Sequence, residues 1–172
     1  KLTSKPIKIL VPGHVSPHKG SLLIKQLKEL DKKDILQLHF MGTTIPNLNS
    51  YGINHGKYER SDFNRIVSEI GPSFSLILST CPETYSYTLT ESWMAGLPVI
   101  ASDLGALKQR ITSTNGGWLV DYKNINDIWW EYALDTPYFK DELLEMKKDM
   151  LKIIPWWGNG RLNYRDSSEV PC

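Results

Sequence analysis

The apolar positions of this chain alternate between two spacings, and this alternation predicts its secondary structure. Short aliphatic and β-branched runs, typical of buried strands, occupy residues 7–11, 35–41, 74–79, 98–101 and 118–120, with a weaker run at 53–58. Apolar residues recur at helical spacing within residues 21–30, 61–70, 88–95 and 106–111. Two further helices are expected at residues 124–134 and 137–154.

Strands that alternate with helices predict a parallel sheet covered by helices on both faces. We therefore expect one Rossmann-like α/β domain over residues 1–154, with six strands of which the first, fourth and fifth are central. A polar tail follows at residues 155–172. The chain begins with Lys1 rather than Met, and we interpret it as a piece of a longer protein.

Composition narrows the function class by exclusion. The chain has 172 residues, of which 41% are hydrophobic and 23% charged, as in ordinary soluble domains. A net charge of +1 gives no electrostatic reason to expect nucleic-acid binding. Two cysteines, Cys81 and Cys172, are too few for a disulfide framework, so a reducing cytosol is expected. No apolar run approaches the roughly 20 residues of a membrane span.

The segment at residues 13–20, GHVSPHKG, joins the first predicted strand to the first helix. Its glycines allow close backbone approach to a ligand, and Lys19 at the helix entry is placed to meet a phosphate. It matches neither the dinucleotide fingerprint nor a Walker A loop, in which Lys follows Gly. A turn with a solvated Lys19 fits equally well. His14 and His18 lack acidic or cysteine partners at ligand spacing, so no metal site is predicted.

A second candidate is the turn at residues 82–91, which contains Glu83 and Glu91 eight residues apart. It joins a strand end to a helix start, where free N–H groups suit phosphate. Two carboxylates beside a phosphate site suit the hydroxyls of a nucleotide sugar. A simpler interpretation makes Glu91 a capping-box partner of Thr88 and Glu83 a loop carboxylate. The shared position of both candidates at one sheet edge favours the ligand site.

Two other segments have competing interpretations. Gly105, after the strand at 98–101, would permit close approach to a ligand, although Ser102 or Asp103 as a helix N-cap is the simpler interpretation. Near the C-terminus, lysines lie beside apolar residues and suggest peripheral membrane contact, although a helix packed on its own domain explains them better. These lysines are Lys147, Lys148 and Lys152.

Four motifs in order give the chain a family resemblance. Residues 13–20 resemble G-R-L-x-x-x-K-G, and Glu83 with Glu91 matches E-x₇-E. Residues 96–102, GLPVIAS, resemble G-x-P-V-V-A-S, and residues 115–120, NGGWLV, resemble N-G-x-L-V. Over residues 7–128 the chain resembles the C-terminal, donor-binding half of retaining GT-B glycosyltransferases of family 4. Residues 85–88 and 103–106 are similar to a subgroup that assembles bacterial surface polysaccharides.

The resemblance implies metal-independent transfer of a sugar from a nucleotide sugar to a glycan or lipid-linked acceptor, with retention and without a cofactor. It implies that Glu83 is catalytic, that Lys19 contacts the diphosphate and that Glu91 holds the ribose. The donor-binding residues it implies are Gly13, His14, Lys19, Tyr58, Thr84, Tyr85, Ser86, Tyr87, Thr88 and Glu91.

The chain departs from the family pattern at three positions. His14 replaces the usual Arg, so phosphate affinity is expected to increase as the pH falls. Ala106 replaces the second Gly of a G-G pair, and Gln109 replaces the Glu that often follows. These departures concern the diphosphate contacts and leave the predicted fold unchanged.

The resemblance assigns the acceptor site to an N-terminal domain that these residues do not encode. We therefore expect a fragment that is inactive alone, belonging to a cytoplasmic protein or to one at the inner face of the membrane. A nucleotide-sugar epimerase of GT-B architecture and a non-catalytic α/β interaction domain are the alternatives. Nucleoside diphosphate binding distinguishes the interaction domain from the two enzymes.

Overall fold

The computed structural model describes residues 6–32, 34 and 36–121. In this part of the chain, six strands alternate with four α-helices. In chain order they are β1 Ile7–Val15, α1 Ser21–Leu30, β2 Leu36–Thr44, β3 Gly52–Asn54, α2 Phe63–Ile70, β4 Phe74–Ile77, α3 Tyr87–Met94, β5 Val99–Ser102, α4 Gly105–Thr114 and β6 Gly117–Val120. The helices predicted at 124–134 and 137–154, the basic residues of the second and the tail at 155–172 lie outside the described residues.

All six strands are parallel and form one sheet in the order β3-β2-β1-β4-β5-β6. β1 and β4 occupy the centre and β5 follows, which confirms the predicted arrangement. The strand order reverses between β1 and β4, because β2 and β3 lie on one side of β1 and the later strands on the other. In open α/β sheets, ligands bind in the crevice at the carboxyl ends of the strands beside such a reversal.

Apolar side chains cover both faces of the sheet, as the continuous apolar strands predict. On one face, Ile9 and Val11 of β1 share a core with Ile24 and Leu27 of α1. On the other face, Leu10 belongs to a core with side chains of α2. Farther along that face, strand residues of β5 pack with residues of α3 and α4, namely Val99, Ala101, Leu89, Trp93, Leu107 and Ile111. The expected sheet with helices on both faces is confirmed.

β1 is longer than its sequence predicts. We expected it to end at residue 11, before Pro12 and Gly13, but it continues to Val15 and pairs with β2 as far as Thr44. Its pairing with β4 ends at Leu10. Proline is tolerated where a strand has a neighbour on one side. The first residues of the predicted loop at 13–20 therefore belong to a strand. The third strand is shorter than the predicted 53–58 and spans Gly52–Asn54.

The capping box that the simpler interpretation placed at the start of α3 does not form. The helix begins at Tyr87, and the side chain of the preceding residue, Ser86, makes no capping hydrogen bond. Glu91 turns instead toward the segment before α2, where it meets Tyr58 and Arg60. An ion pair and a hydrogen bond to Glu91 have therefore replaced a local cap, which leaves the N–H groups of the first turn without the carboxylate of a capping box.

Two other helix starts also differ from what their sequences suggest. A helix was expected from residue 61 with Ser61 as a plausible N-cap, but a 3₁₀ turn, Arg60–Asp62, contains Ser61, and α2 begins only at Phe63. Leu104 is the residue before α4, and neither Ser102 nor Asp103 is its N-cap. Asp103 forms an ion pair with Lys108.

None of the helices in the described part of the chain combines the length and the apolar character that a bilayer crossing requires.

Candidate functional site

A cleft of ≈ 560 Å³ opens at the carboxyl ends of β1 and β4. Its walls are the end of β1, the 3₁₀ turn Pro17–Lys19 and the turn that leads from β4 into α3. Nine of the eleven site residues predicted from the sequence line this cleft. They are Gly13, His14, Lys19, Glu83, Thr84, Tyr85, Ser86, Tyr87 and Thr88. The other two, Tyr58 and Glu91, lie outside this lining.

Gly13 lets the end of β1 approach the start of α3. A Cβ at this position would lie 2.9 Å from Cγ2 of Thr88, and the backbone has φ +93°, which side chains of L-residues rarely adopt. Approach to a ligand at Gly13 stays a prediction, and the close approach that the structure shows there is to the protein itself. It brings the two candidate segments of the sequence together.

Lys19 and Glu83 form an ion pair inside the cleft. The Lys19 Nζ lies 2.8 Å from Oε1 of Glu83, and the buried Ser79 hydroxyl donates to the same oxygen. The Glu83 side chain is 12% exposed and that of Lys19 38%. Burial acts to raise the pKa of Glu83, but the hydrogen bonds from Lys19 and Ser79 outweigh it and hold the pKa below its usual value. Glu83 is therefore an anion at neutral pH.

Glu91 has a different pair of donors. The Tyr58 hydroxyl donates to its Oε2 at 2.8 Å, and the Arg60 Nε lies 3.0 Å from its Oε1. Burial raises the pKa of Tyr58, and the negative charge of Glu91 raises it further, so the phenol stays a neutral donor. The guanidinium of Arg60 also stacks 4.6 Å above the ring of Tyr87, which lines the cleft. This group of residues thus adjoins the cleft through Tyr87.

Arg110, which no sequence motif indicated, contacts the turn before α3. Its Nη1 donates to the carbonyl oxygens of Tyr85 and Ser86 at 2.8 and 3.1 Å, and its Nη2 donates to Oγ1 of Thr90 at 2.8 Å. The guanidinium lies 4.2 Å from the ring centroid of Tyr85. No motif links residues 85 and 110, because the contact depends on α4 packing beside α3.

Gly105 does not serve the purpose that the sequence suggested. A Cβ at this position would lie 2.8 Å from the carbonyl oxygen of Glu83, so the close approach is to main chain of the protein instead of a ligand. The N–H of Ala106 donates to the same carbonyl at 2.9 Å. The start of α4 therefore holds the backbone of Glu83 in place.

His14 is exposed at the edge of the cleft, where its Nδ1 is hydrogen-bonded to the Thr43 hydroxyl of β2. His18 is also exposed and shares a hydrogen bond with Ser16. Among residues 6–32, 34 and 36–121, no three His, Cys, Asp or Glu side chains are grouped as metal ligands would be.

The cleft combines groups that suit a phosphorylated, hydroxyl-rich ligand. Lys19 and the start of α3 provide positive charge and N–H donors. The ionised Glu83 provides an acceptor for hydroxyl groups. Because Lys19 and Glu83 form an ion pair, the cation and the carboxylate lie next to each other in the cleft. A ligand that carries phosphate and hydroxyls a few ångströms apart therefore fits the chemistry.

Comparison with known proteins adds evidence on the fold. No protein-family model and no curated protein matches the sequence. Among solved structures, the fold matches WaaG, a glycosyltransferase involved in lipopolysaccharide biosynthesis, with a TM-score of 0.67 and 17% identity over 90% of this chain and 44% of WaaG. HepE of Anabaena, in complex with UDP and glucose, matches with a TM-score of 0.65 and 13% identity over 94% of this chain and 48% of HepE.

AviGT4, a glycosyltransferase involved in avilamycin A biosynthesis, matches with a TM-score of 0.55 and 19% identity over 94% of this chain and 51% of AviGT4. The chain spans about half the length of each of these proteins. It therefore has the Rossmann-like fold of one half of a GT-B glycosyltransferase, and the expected fold is confirmed.

Proposed function

We propose that this chain is the donor-binding half of a glycosyltransferase that moves a sugar from a nucleoside diphosphate sugar to a glycan or lipid-linked acceptor. The observation that carries the proposal is the Lys19–Glu83 pair in the cleft at the strand-order reversal. It joins a phosphate-binding cation to a carboxylate of the kind that holds sugar hydroxyls. The HepE complex with UDP and glucose makes UDP-sugars the first donors to test.

In this proposal the diphosphate lies between Lys19 and the start of α3. Lys19 exchanges one oxygen of Glu83 for a phosphate oxygen, which is favourable because the phosphate carries more charge. The carboxylate of Glu83 is then available to hydroxyls of the sugar. Glu91 accepts from the ribose hydroxyls while Tyr58 keeps its other oxygen in place.

The second half of the site is proposed to lie on another domain of the protein. Transfer between two substrates depends on holding the acceptor beside the donor, and a closed cleft also excludes water. Retention of configuration, independence of metal ions, synthesis of a surface polysaccharide and a cytoplasmic location at the inner membrane face belong to the same proposal. They rest on the motif resemblance described above.

The test is calorimetric titration of the 172-residue chain with UDP, GDP and ADP. We expect one of them to bind, and Lys19→Met to weaken that binding roughly 10- to 150-fold, because a charged hydrogen bond contributes about 1.5–3 kcal/mol. Lys25→Met is the matched control, since Lys25 pairs with Glu29 on α1 and is not part of the cleft lining. It should leave the affinity unchanged.

A second readout uses the exposed Cys81, which lines the cleft. In a Cys172→Ser background, bound nucleotide should slow alkylation of Cys81. If no nucleoside diphosphate binds or protects, a non-catalytic interaction domain is the better interpretation. If the full-length protein interconverts nucleotide sugars without an acceptor, it is an epimerase.

A further inference from the structure

Two consecutive main-chain carbonyls converge on Arg110 at the turn before α3. The same Nη1 donates to the carbonyl oxygens of Tyr85 and Ser86, at 2.8 and 3.1 Å. Ser86 has φ 68° and ψ 91°, so the chain turns sharply between these two peptide groups. Both carbonyls are thereby directed to one side of the turn, which is the side of α4.

The positions of these carbonyls determine where the neighbouring N–H groups point. In a trans peptide the N–H points away from the C=O of the same unit, and no described peptide bond is cis. The N–H groups of Ser86 and Tyr87 are therefore directed away from Arg110. Arg110 does not line the cleft, whereas Ser86 and Tyr87 do. Successive N–H groups on one side of a turn form a concavity that binds anions.

Arg110 is itself fixed on several sides. Its Nη2 donates to Oγ1 of Thr90, and its Cζ lies 4.2 and 5.2 Å from the ring centroids of Tyr85 and Trp93. Trp93 is buried, and its Nε1 donates to the carbonyl of Gly116 at 2.7 Å. A planar guanidinium held in this way keeps both carbonyls in one geometry.

We propose that Arg110 is a positioning residue for the phosphate of the donor. It orients the turn so that the N–H groups of Ser86 and Tyr87 bind the phosphate, and it does so without touching the ligand. Its charge also polarises the two peptide groups, which strengthens their N–H donors. The inference rests on the proposed function, and it adds a specific residue and a specific pair of amides to it.

The test follows the amide resonances of Ser86 and Tyr87 by ¹⁵N NMR while the 172-residue chain is titrated with UDP, with inorganic pyrophosphate and with uridine. In the wild type both amides should shift with UDP and with pyrophosphate. In Arg110→Gln the pyrophosphate shifts should be lost and UDP should bind roughly tenfold more weakly or worse. The weak affinity for uridine should stay within about twofold, because uridine carries no phosphate.

Three further variants separate positioning from simple loss of structure. Arg110→Lys reaches one carbonyl and should restore part of the UDP affinity. Thr90→Val removes the Nη2 contact and keeps the carbonyl contacts, so UDP affinity should fall less than about threefold. Arg65→Gln removes an exposed arginine of α2 that pairs with Glu69, and it should change none of the readouts. Melting curves of all variants show whether each is folded at the temperature of the titration.

Each outcome decides the inference. If folded Arg110→Gln binds UDP as the wild type does, or if UDP binds without moving the two amides, the role of Arg110 is overturned and the proposed function stands. If pyrophosphate shifts both amides in the wild type and not in folded Arg110→Gln, and no nucleoside diphosphate binds better than pyrophosphate, the role of Arg110 is supported and the proposed function fails. If neither a nucleoside diphosphate nor pyrophosphate binds, the role of Arg110 and the proposed function are both overturned. A Lys variant no better than the Gln variant, with both folded, also counts against positioning by the carbonyl contacts.

Discussion

Glu83 and Glu91 are nearly equal in burial and differ in what surrounds them. Their side chains are 12% and 13% exposed. Glu83 faces Lys19 and Ser79 inside the cleft, whereas Glu91 faces Tyr58 and Arg60 beside it. The comparison shows that burial alone does not identify a functional carboxylate. What distinguishes Glu83 is that its cationic partner is itself a candidate ligand for the phosphate.

The cations that pair with these two carboxylates also differ in how exposed they are to solvent. Arg60 is 63% exposed and Lys19 38% exposed. An exposed arginine contributes little to a salt bridge, because solvent screens the pair. Glu91 therefore depends mainly on the half-buried Tyr58, and Glu83 depends on a cation that the ligand can take over. We expect substitutions at the two carboxylates to differ in sign as well as in size.

The largest effect is expected for Glu83→Gln. In the full-length protein, transfer should fall roughly 100-fold or more, as when a group that stabilises developing charge is removed. Affinity of the 172-residue chain for UDP should increase, because Lys19 no longer has a competing carboxylate. The gain in UDP affinity is measured by calorimetry on this variant and on the double variant Lys19→Met/Glu83→Gln. A gain that persists in the double variant would reflect general loss of negative charge instead of release of Lys19.

Glu91→Gln should produce a smaller change in the opposite direction. UDP affinity is expected to fall by about 1.5 kcal/mol or more if Glu91 accepts from the ribose. Tyr58→Phe is the companion variant, since it removes the hydroxyl that holds Glu91 and leaves the carboxylate. The affinities of both variants for UDP and for 2′-deoxy-UDP are measured by titration and compared with those of the wild type. If Glu91→Gln lowers the melting temperature and leaves both affinities unchanged, Glu91 has a structural role only.

The smallest effect concerns stability and pH. The pKa of Glu83 is lower in the folded chain than its ordinary value of 4.5. Its contribution to the free energy of unfolding is therefore complete above that value and is lost as the pH falls through the lower folded value. Urea unfolding should show the wild type more stable than Glu83→Gln by about 0.5–1 kcal/mol at neutral pH, a modest figure because Lys19 is partly exposed. The difference should vanish in acid; one that persists would refute the ion-pair explanation.

The fold and the place of the site were largely predictable from the sequence. The apolar runs identified the six strands, because buried parallel strands need continuous apolar residues. The glycines of the first loop and the turn with Glu83 each follow a predicted strand. Because the carboxyl ends of parallel strands lie at the same edge of a sheet, both segments were expected at one edge, where ligands bind. The cleft accordingly contains Lys19 and Glu83, as predicted.

Predictions from local rules about helix starts failed, for a physical reason. A capping box competes with any long-range partner for the same carboxylate, and Tyr58 and Arg60 took that of Glu91. Gly105 was free to approach a ligand or another part of the chain, and its own sequence neighbours did not distinguish the two. Arg110 acts over 25 residues through the packing of α4. Such contacts depend on how the helices pack in the folded protein, and no residue spacing in the sequence indicates them.

The unequal lengths of β1 and β4 have a consequence for association with other chains. Beyond Leu10, β1 continues for five residues without pairing to β4, and all five line the cleft. An unpaired strand edge invites a strand from another molecule to add to it, which leads to aggregation. Pro12 lies in this unpaired stretch and has no N–H to offer such a strand. Pro12 therefore makes this edge a poor partner for a neighbouring chain, while the edge remains part of the cleft wall.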